Sequence, residues 1–293
     1  MIRYAISRAE LEKLITAEKA DWLKRAASRT DEFRKAGQYN EKSSIWSEIK
    51  SVYMVLQGNA KCAYCEREME SAAIGKIEQD VEHFRPKSNV RPWKAPQVLI
   101  DEGVVFTTPP AGRGYHLLPY DPLNYAAACK PCNTILKKDY FPIGGKYDFV
   151  KDDPAKLSLE KAYLIYPIGD LDDDPETLIT FQGTSPRPAF NSGFKRHRAL
   201  VTIEFFKLDD PDTRKALYRA RSLIIIALYS LLKKTRSGSA ADRKKASKTV
   251  EGFLRTNLAH LNCAKSFKRL FETNEADADA MYDAAVQFVT SIS

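Results

Sequence analysis

The chain has 293 residues, 44% hydrophobic and 29% charged, a composition that supports a packed core beneath a soluble surface and excludes wholesale disorder. The formal net charge of +8 favours an anionic partner, although basic balance alone does not identify one. The start of the chain lacks a basic region followed by a long apolar core, and the longest apolar run, Leu223 to Leu232, is too short to span a bilayer. The expectation is a cytoplasmic protein with reduced thiols and no membrane partner.

Ser7 and Glu10 have the spacing of a capping box, which predicts a helix with an apolar stripe of Leu11, Leu14, Ile15, Trp22 and Leu23 and a stop at Gly37. A second helix is expected from Ser43 or Ser44, with Ile45, Ile49, Val52, Tyr53 and Leu56 at helical spacing and Gly58 just past its end.

Four of the five cysteines follow as two Cys-x-x-Cys pairs, Cys62/Cys65 and Cys129/Cys132. Two thiolate pairs complete the tetrahedral four-sulfur shell preferred by structural zinc, and a reducing compartment favours zinc over disulfides. The pairs are 63 residues apart, far more than the roughly 15–20 of a simple zinc ribbon, so the ion would pin together two ends of a larger unit.

Between the pairs, Lys76 to Phe84 reads as a strand ending at Arg85-Pro-Lys87. Val98-Leu-Ile100 and Val104-Val-Phe106, flanking Asp-Glu-Gly, suggest an inserted hairpin. A helix is expected from about Tyr125 to Lys138, placing Cys129, Cys132 and Asn133 on one face. Asn124, just before it, could serve simply as its N-cap.

These motifs, Cys62-Ala-Tyr-Cys65, Val81-Glu-His-Phe-Arg-Pro-Lys87, Asn124, Ala128-Cys-Lys-Pro-Cys-Asn133 and Lys137-Lys-Asp-Tyr-Phe-Pro142, resemble those of HNH endonucleases with the ββα-metal fold. The resemblance is nearest to the HNH component of Septu-type and retron-linked antiphage systems, usually encoded beside an ATPase. Looser similarity continues through Tyr166 to Pro175 and Phe194 to Ile203.

Phosphodiester hydrolysis needs a base, a divalent metal and rigid placement of both. His83 suits the base, because an unperturbed imidazole titrates near neutrality. The resemblance implies Glu82 and Asn133 as ligands of a catalytic Mg or Mn ion, and Asn124 as the residue orienting His83 or its loop. Asp is commoner before that His, so Asp80, two residues earlier on the same strand face, is a rival ligand. The family's lysine three places after the final Asn is Leu136 here, with Lys137 one step later. Arg85, Lys87, His116 and Lys137 are weaker phosphate-binding candidates.

After Pro142, Lys161 to Pro167 and Thr177 to Gln182 read as two strands joined by the acidic, solvated turn Gly169 to Pro175, which lacks the ligand spacing of an EF-hand. Thr213 to Leu270 carries 15 Lys and Arg against 2 acids. Helices are expected there from about Pro211 to Lys234 and from about Asp242 to Leu261, their basic faces tracking a nucleic-acid backbone or merely solvated beside a partner protein. Leu223 to Leu228, apolar nearly all round, should be buried, and Cys263 reads as a core or surface thiol.

The expected whole is an α+β protein: an N-terminal helical segment (1–58), a zinc-stapled ββα-metal core (59–150), a short-strand connection (151–210) and a basic helical C-terminal region (211–293). The expected function is metal-dependent cleavage of DNA, with a defence role and a partner ATPase implied by the resemblance alone. The alternatives are a non-catalytic zinc-stabilised module that binds nucleic acid or protein, and a nuclease acting on RNA.

Overall fold

The computed structural model describes residues 1–58, 60–74, 80–255 and 257–291. It is an α+β chain with small two-stranded sheets, and its buried side chains form a continuous core from Met1 to Ala285.

The N-terminal prediction of one helix resolves into two, α1 (Arg8–Glu18) and α2 (Trp22–Ala36). The Ser7/Glu10 capping box is present, and Gly37 ends α2 in the left-handed conformation. The break between them buries Trp22, whose indole donates to the Ile45 carbonyl at 2.9 Å, whereas Leu14 is left largely exposed. The second expected helix begins as a 3-10 turn, Trp46–Ile49, and continues as α3 (Lys50–Leu56).

Strand β1 (Asp80–His83) falls within the expected strand, whose residues 76–79 lie outside the described residues. The expected hairpin is absent: Gln97–Asp101 forms a short helix, α4, entered from Pro96. Gly103, at φ +79, lets the chain turn at the end of this helix so that the Val104 amide bonds back to Leu99.

The helix expected from Tyr125 is also corrected. Tyr125–Ala128 is strand β2, antiparallel to β1 with His83 opposite Tyr125 and Asp80 opposite Ala128. Three alanines favour a helix locally, but here they are fully buried, and the Gln57 side chain bridges the Ala127 amide and carbonyl at 2.7 and 2.8 Å. Tertiary packing outweighs the propensity. Helical structure starts only at Pro131 and runs to Lys137 as a π-helix, so Cys129 precedes it.

Downstream, α5 (Pro175–Leu178) leads into β3 (Ile179–Gln182), which pairs with β4 (Ser185–Pro188) rather than with the segment before the acidic turn. Gly183, at φ +58, supplies the tight connection between them. The acidic turn is not merely solvated: Asp172 accepts from the buried Arg198 guanidinium through both oxygens, at 2.6 and 2.5 Å.

Helix α6 (Gly193–Phe205) precedes the C-terminal helices α7 (Lys215–Arg236), α8 (Ala240–Phe253), α9 (Leu261–Thr273) and α10 (Glu275–Ser291). Ile225 and Leu228 on α7 are buried, but Leu223 is half exposed, so this helix has a wet side. Cys263 is a core thiol that donates to the Gly183 carbonyl. Among the described residues no helix is long and apolar enough to cross a membrane.

Candidate active site and metal centre

The cysteine pairs converge. The sulfurs of Cys62, Cys65, Cys129 and Cys132 all lie within 4.8 Å of one another, and all four residues are buried. The Cys65–Cys129 separation of 3.8 Å equals the edge of a tetrahedron with metal–sulfur bonds of about 2.3 Å, which gives an edge of about 3.8 Å. The cluster can therefore hold a structural zinc ion. Burial pushes the Cys62 thiol well above its ordinary range, while hydrogen bonds from the other three cysteines outweigh burial and hold Cys65 well below it, so a bound cation is what would favour thiolates at all four.

The first cysteine pair is anchored to the sheet and to the C-terminal part. The Ala63 amide bonds to the Ala127 carbonyl, while the Glu66 carbonyl and carboxylate accept from the His260 and Asn262 amides at 3.2 and 3.3 Å.

Beside β1 lies a cleft of about 510 Å³, lined by Trp46, Lys50, Asp80, Glu82, His83, Lys87, Arg91, Asn133 and Lys138 among others. His83 is packed edge-on against Trp46 and Tyr125, at 4.8 and 5.1 Å between ring centres. Its Nε2 is 3.2 Å from the Pro119 carbonyl, which also accepts from the Tyr125 hydroxyl. A carbonyl can only accept, so Nε2 carries the proton and Nδ1 keeps the lone pair. Burial, reinforced by the Lys87 charge, holds the imidazole well below its ordinary pKa and therefore neutral at pH 7.

Asn124 is fully buried and does not cap a helix; it fixes the loop after His83. Its Oδ1 accepts from the Arg85 amide at 2.8 Å, and its Nδ2 donates to the Arg85 and Leu118 carbonyls at 3.1 and 3.0 Å. Every polar atom of the side chain is thus spent on backbone, which gives the His83 loop one conformation.

Asp80 and Asn133 meet across the cleft, the Asn133 amide donating to Asp80 Oδ2 at 3.1 Å. An oxygen-rich pair of this kind suits Mg or Mn rather than zinc. Glu82 is differently placed: it is buried, Lys137 Nζ lies 3.0 Å from its Oε1, and the Tyr64 hydroxyl donates to its Oε2. Both Glu82 oxygens therefore already have a partner, and a metal bound there would share the carboxylate with the Lys137 ammonium.

The phosphate-binding candidates separate. Lys87 lines the cleft and lies over the Trp46 ring, 4.6 Å from its centre. Lys137 is fully buried on Glu82, and its Nζ also approaches the His83 carbonyl at 3.4 Å. The π-helix brings Lys137 inward although it stands one position later than the family pattern, with the Lys138 amide bonding five residues back to Asn133. Arg85 pairs with buried Glu160 at 3.0 Å, and neither Arg85 nor His116 is among the residues lining the cleft.

Sequence reasoning missed Tyr64, Trp46, Lys50, Arg91 and the Pro119 carbonyl. Tyr64 alone carried a local signal, its place inside the first cysteine pair; the others reach the cleft only through tertiary packing.

Over 126 residues, 43% of this chain, the sequence is 33% identical to the Septu protein PtuB of Bacillus mycoides (strain KBAB4). The match spans 36% of that protein, so the chain covers about a third of its length. No family model matches the chain, and no solved structure matches it. The chain is a distant homologue of that Septu protein.

Proposed function

We propose that this protein is a metal-dependent HNH-type endonuclease that hydrolyses DNA in an antiphage defence system, with the four cysteines holding a structural zinc. The observation carrying this reading is a neutral histidine in a cleft with a carboxylate–amide pair and basic groups: His83, Asp80, Asn133, Lys50, Lys87, Arg91 and Lys138. The distant likeness to a Septu protein supports the defence role, and the motif resemblance to the HNH components of such systems implies a partner ATPase.

In this mechanism His83 Nδ1 removes a proton from the attacking water, while Pro119 holds Nε2–H and fixes the ring. Asp80 and Asn133 would hold the catalytic cation, with Glu82 as a further ligand. A bound Mg or Mn ion would offset charge on the scissile phosphate and the leaving oxygen. Lys87 and Arg91 hold the phosphate backbone, and Asn124 keeps the His83 loop in register.

The engagement of both Glu82 oxygens favours a second reading, a non-catalytic zinc-stabilised binding module. The two are separated by incubating supercoiled plasmid, and in parallel single-stranded RNA, with the zinc-loaded protein and Mg or Mn, with and without the partner encoded beside it. Nicked or linear plasmid that depends on the added metal supports the nuclease. Cleavage of RNA alone would replace DNA as substrate, and intact nucleic acid in every arm would leave the binding module.

A further inference from the structure

The start of α7 meets the cysteine cluster. Arg214, its N-cap, donates Nη2 to the Cys132 sulfur at 3.5 Å and Nη1 to the Phe206 carbonyl at 2.8 Å. Two turns further along α7, Arg221 is only 1% exposed, and among the described residues no carboxylate lies within ion-pair distance of it. Its Nη1 donates to the Thr184 and Leu208 carbonyls at 3.0 and 2.8 Å, its Nε has no acceptor, and the Phe181 and Tyr218 rings flank it.

A guanidinium sealed in a core without a counter-charge is costly. Three acidic groups within its electrostatic reach do not supply one. Burial pushes the Cys263 thiol up to about 12, which keeps it neutral, and the Glu66 carboxylate is already paired with the Met1 ammonium at 2.5 Å. Burial pushes the Tyr218 hydroxyl up to about 12 as well, so it too stays neutral, which leaves Cys65 of the four-sulfur cluster as the acidic group acting on Arg221. Four thiolates around one divalent ion carry a net charge of −2, and the two arginines carry +2. The cluster and the arginines thus solve each other's burial problem.

We propose that Arg214 and Arg221 are the counter-charges of the metal centre, Arg214 bonding the Cys132 sulfur directly and Arg221 acting at longer range, so that loading the ion is coupled to the docking of α7. This inference rests on reading the four cysteines as a zinc site. It makes the C-terminal helices part of the metal centre. A neutral, metal-free thiol cluster would leave both guanidinium groups without charge compensation.

The test uses the full chain loaded with zinc. Zinc release to a colorimetric chelator is timed, and the sulfur-to-metal charge-transfer band is recorded after exchange into cobalt(II). Arg214→Met should release zinc about 10–100-fold faster and shift the cobalt band, as loss of a hydrogen bond to a ligand does. Arg221→Met should release it only a few-fold faster with the band in place. Arg214→Lys should shift the band with a few-fold faster release, because one ammonium cannot span both Cys132 and the Phe206 carbonyl. Exposed Lys215→Met should match the wild type in both measurements.

An Arg214→Met protein with wild-type release and an unshifted band would overturn the proposal. Should that variant not fold, a wild-type band and release rate in Arg214→Lys would overturn it instead. A wild-type protein without zinc would sink the zinc reading itself, which keeps the two failures distinct.

Discussion

The cysteine cluster and the cleft both adjoin the β1–β2 strand pair, yet they are built to opposite rules. The cluster is closed: four soft sulfurs, all buried, converge within 4.8 Å of one another. The cleft is open and polar, with hard oxygens, a neutral imidazole and cations around it. A closed soft site stores folding energy, and an open hard site is free to do chemistry. On the proposed reading, this difference makes the sulfurs scaffold and puts reactivity at Asp80, His83 and Asn133.

The sharpest way to break this contrast is to remove the scaffold. Cys129→Ser, or stripping metal with a chelator, should abolish zinc binding and lower the melting temperature by more than about 10 °C, since structural zinc contributes folding free energy directly. Thermal melts alongside elemental analysis measure both. A variant that loses zinc but melts like the wild type would make the cluster incidental.

The boundary between the two regions is the buried Lys137–Glu82 pair. Lys137→Met leaves the Glu82 charge unpaired and should cost about 3–5 kcal/mol in urea unfolding, whereas adding Glu82→Gln should recover most of that loss. If the single variant costs nothing, the pair is not a structural element and Glu82 is free to bind metal.

His260 tests the C-terminal side of the scaffold. Burial, reinforced by Arg221, lowers its pKa to about 4. The unfolded chain, titrating near 6.5, therefore binds the proton more readily, and the stability contributed by neutral His260 is present above pH 6.5 and lost as pH falls toward 4. The loss should reach about 3 kcal/mol at most, since each tenfold difference in proton affinity between the folded and unfolded chain is worth about 1.36 kcal/mol. His260→Gln should flatten the unfolding free energy over that window, and an unchanged pH slope would contradict it.

Asn124 gives the smallest expected effect on stability. Asn124→Ala orphans the Arg85 amide and carbonyl and should cost about 1–3 kcal/mol. It should slow cleavage while zinc content stays unchanged, as both quantities measured on one preparation would reveal.

What was legible in the sequence follows the same division. Cysteine spacing pointed to the cluster, and the four sulfurs do converge to where they could hold a metal ion. The capping box at Ser7 and the stop at Gly37 are local codes and were also readable. The β2 strand was not, since three alanines read as helix until Gln57 and full burial are known. Val98 to Phe106, two apolar runs flanking Asp-Glu-Gly, reads like a hairpin, yet Pro96 and Gly103 are better read as the two ends of a short helix. In the cleft, His83 and Asn133 came from motif spacing. The engagement of Glu82 by Lys137 depends on a π-helix that shifts one side chain inward, which no residue pattern announced.

The most direct measurement is cleavage of supercoiled plasmid by wild type and His83→Ala, each assayed for zinc in the same preparation with Mg or Mn added. His83→Ala should hold about one zinc per chain and melt near the wild type, while its metal-dependent cleavage falls by at least about 100-fold. Undiminished cleavage by a zinc-loaded His83→Ala protein would contradict the assignment of chemistry to this cleft.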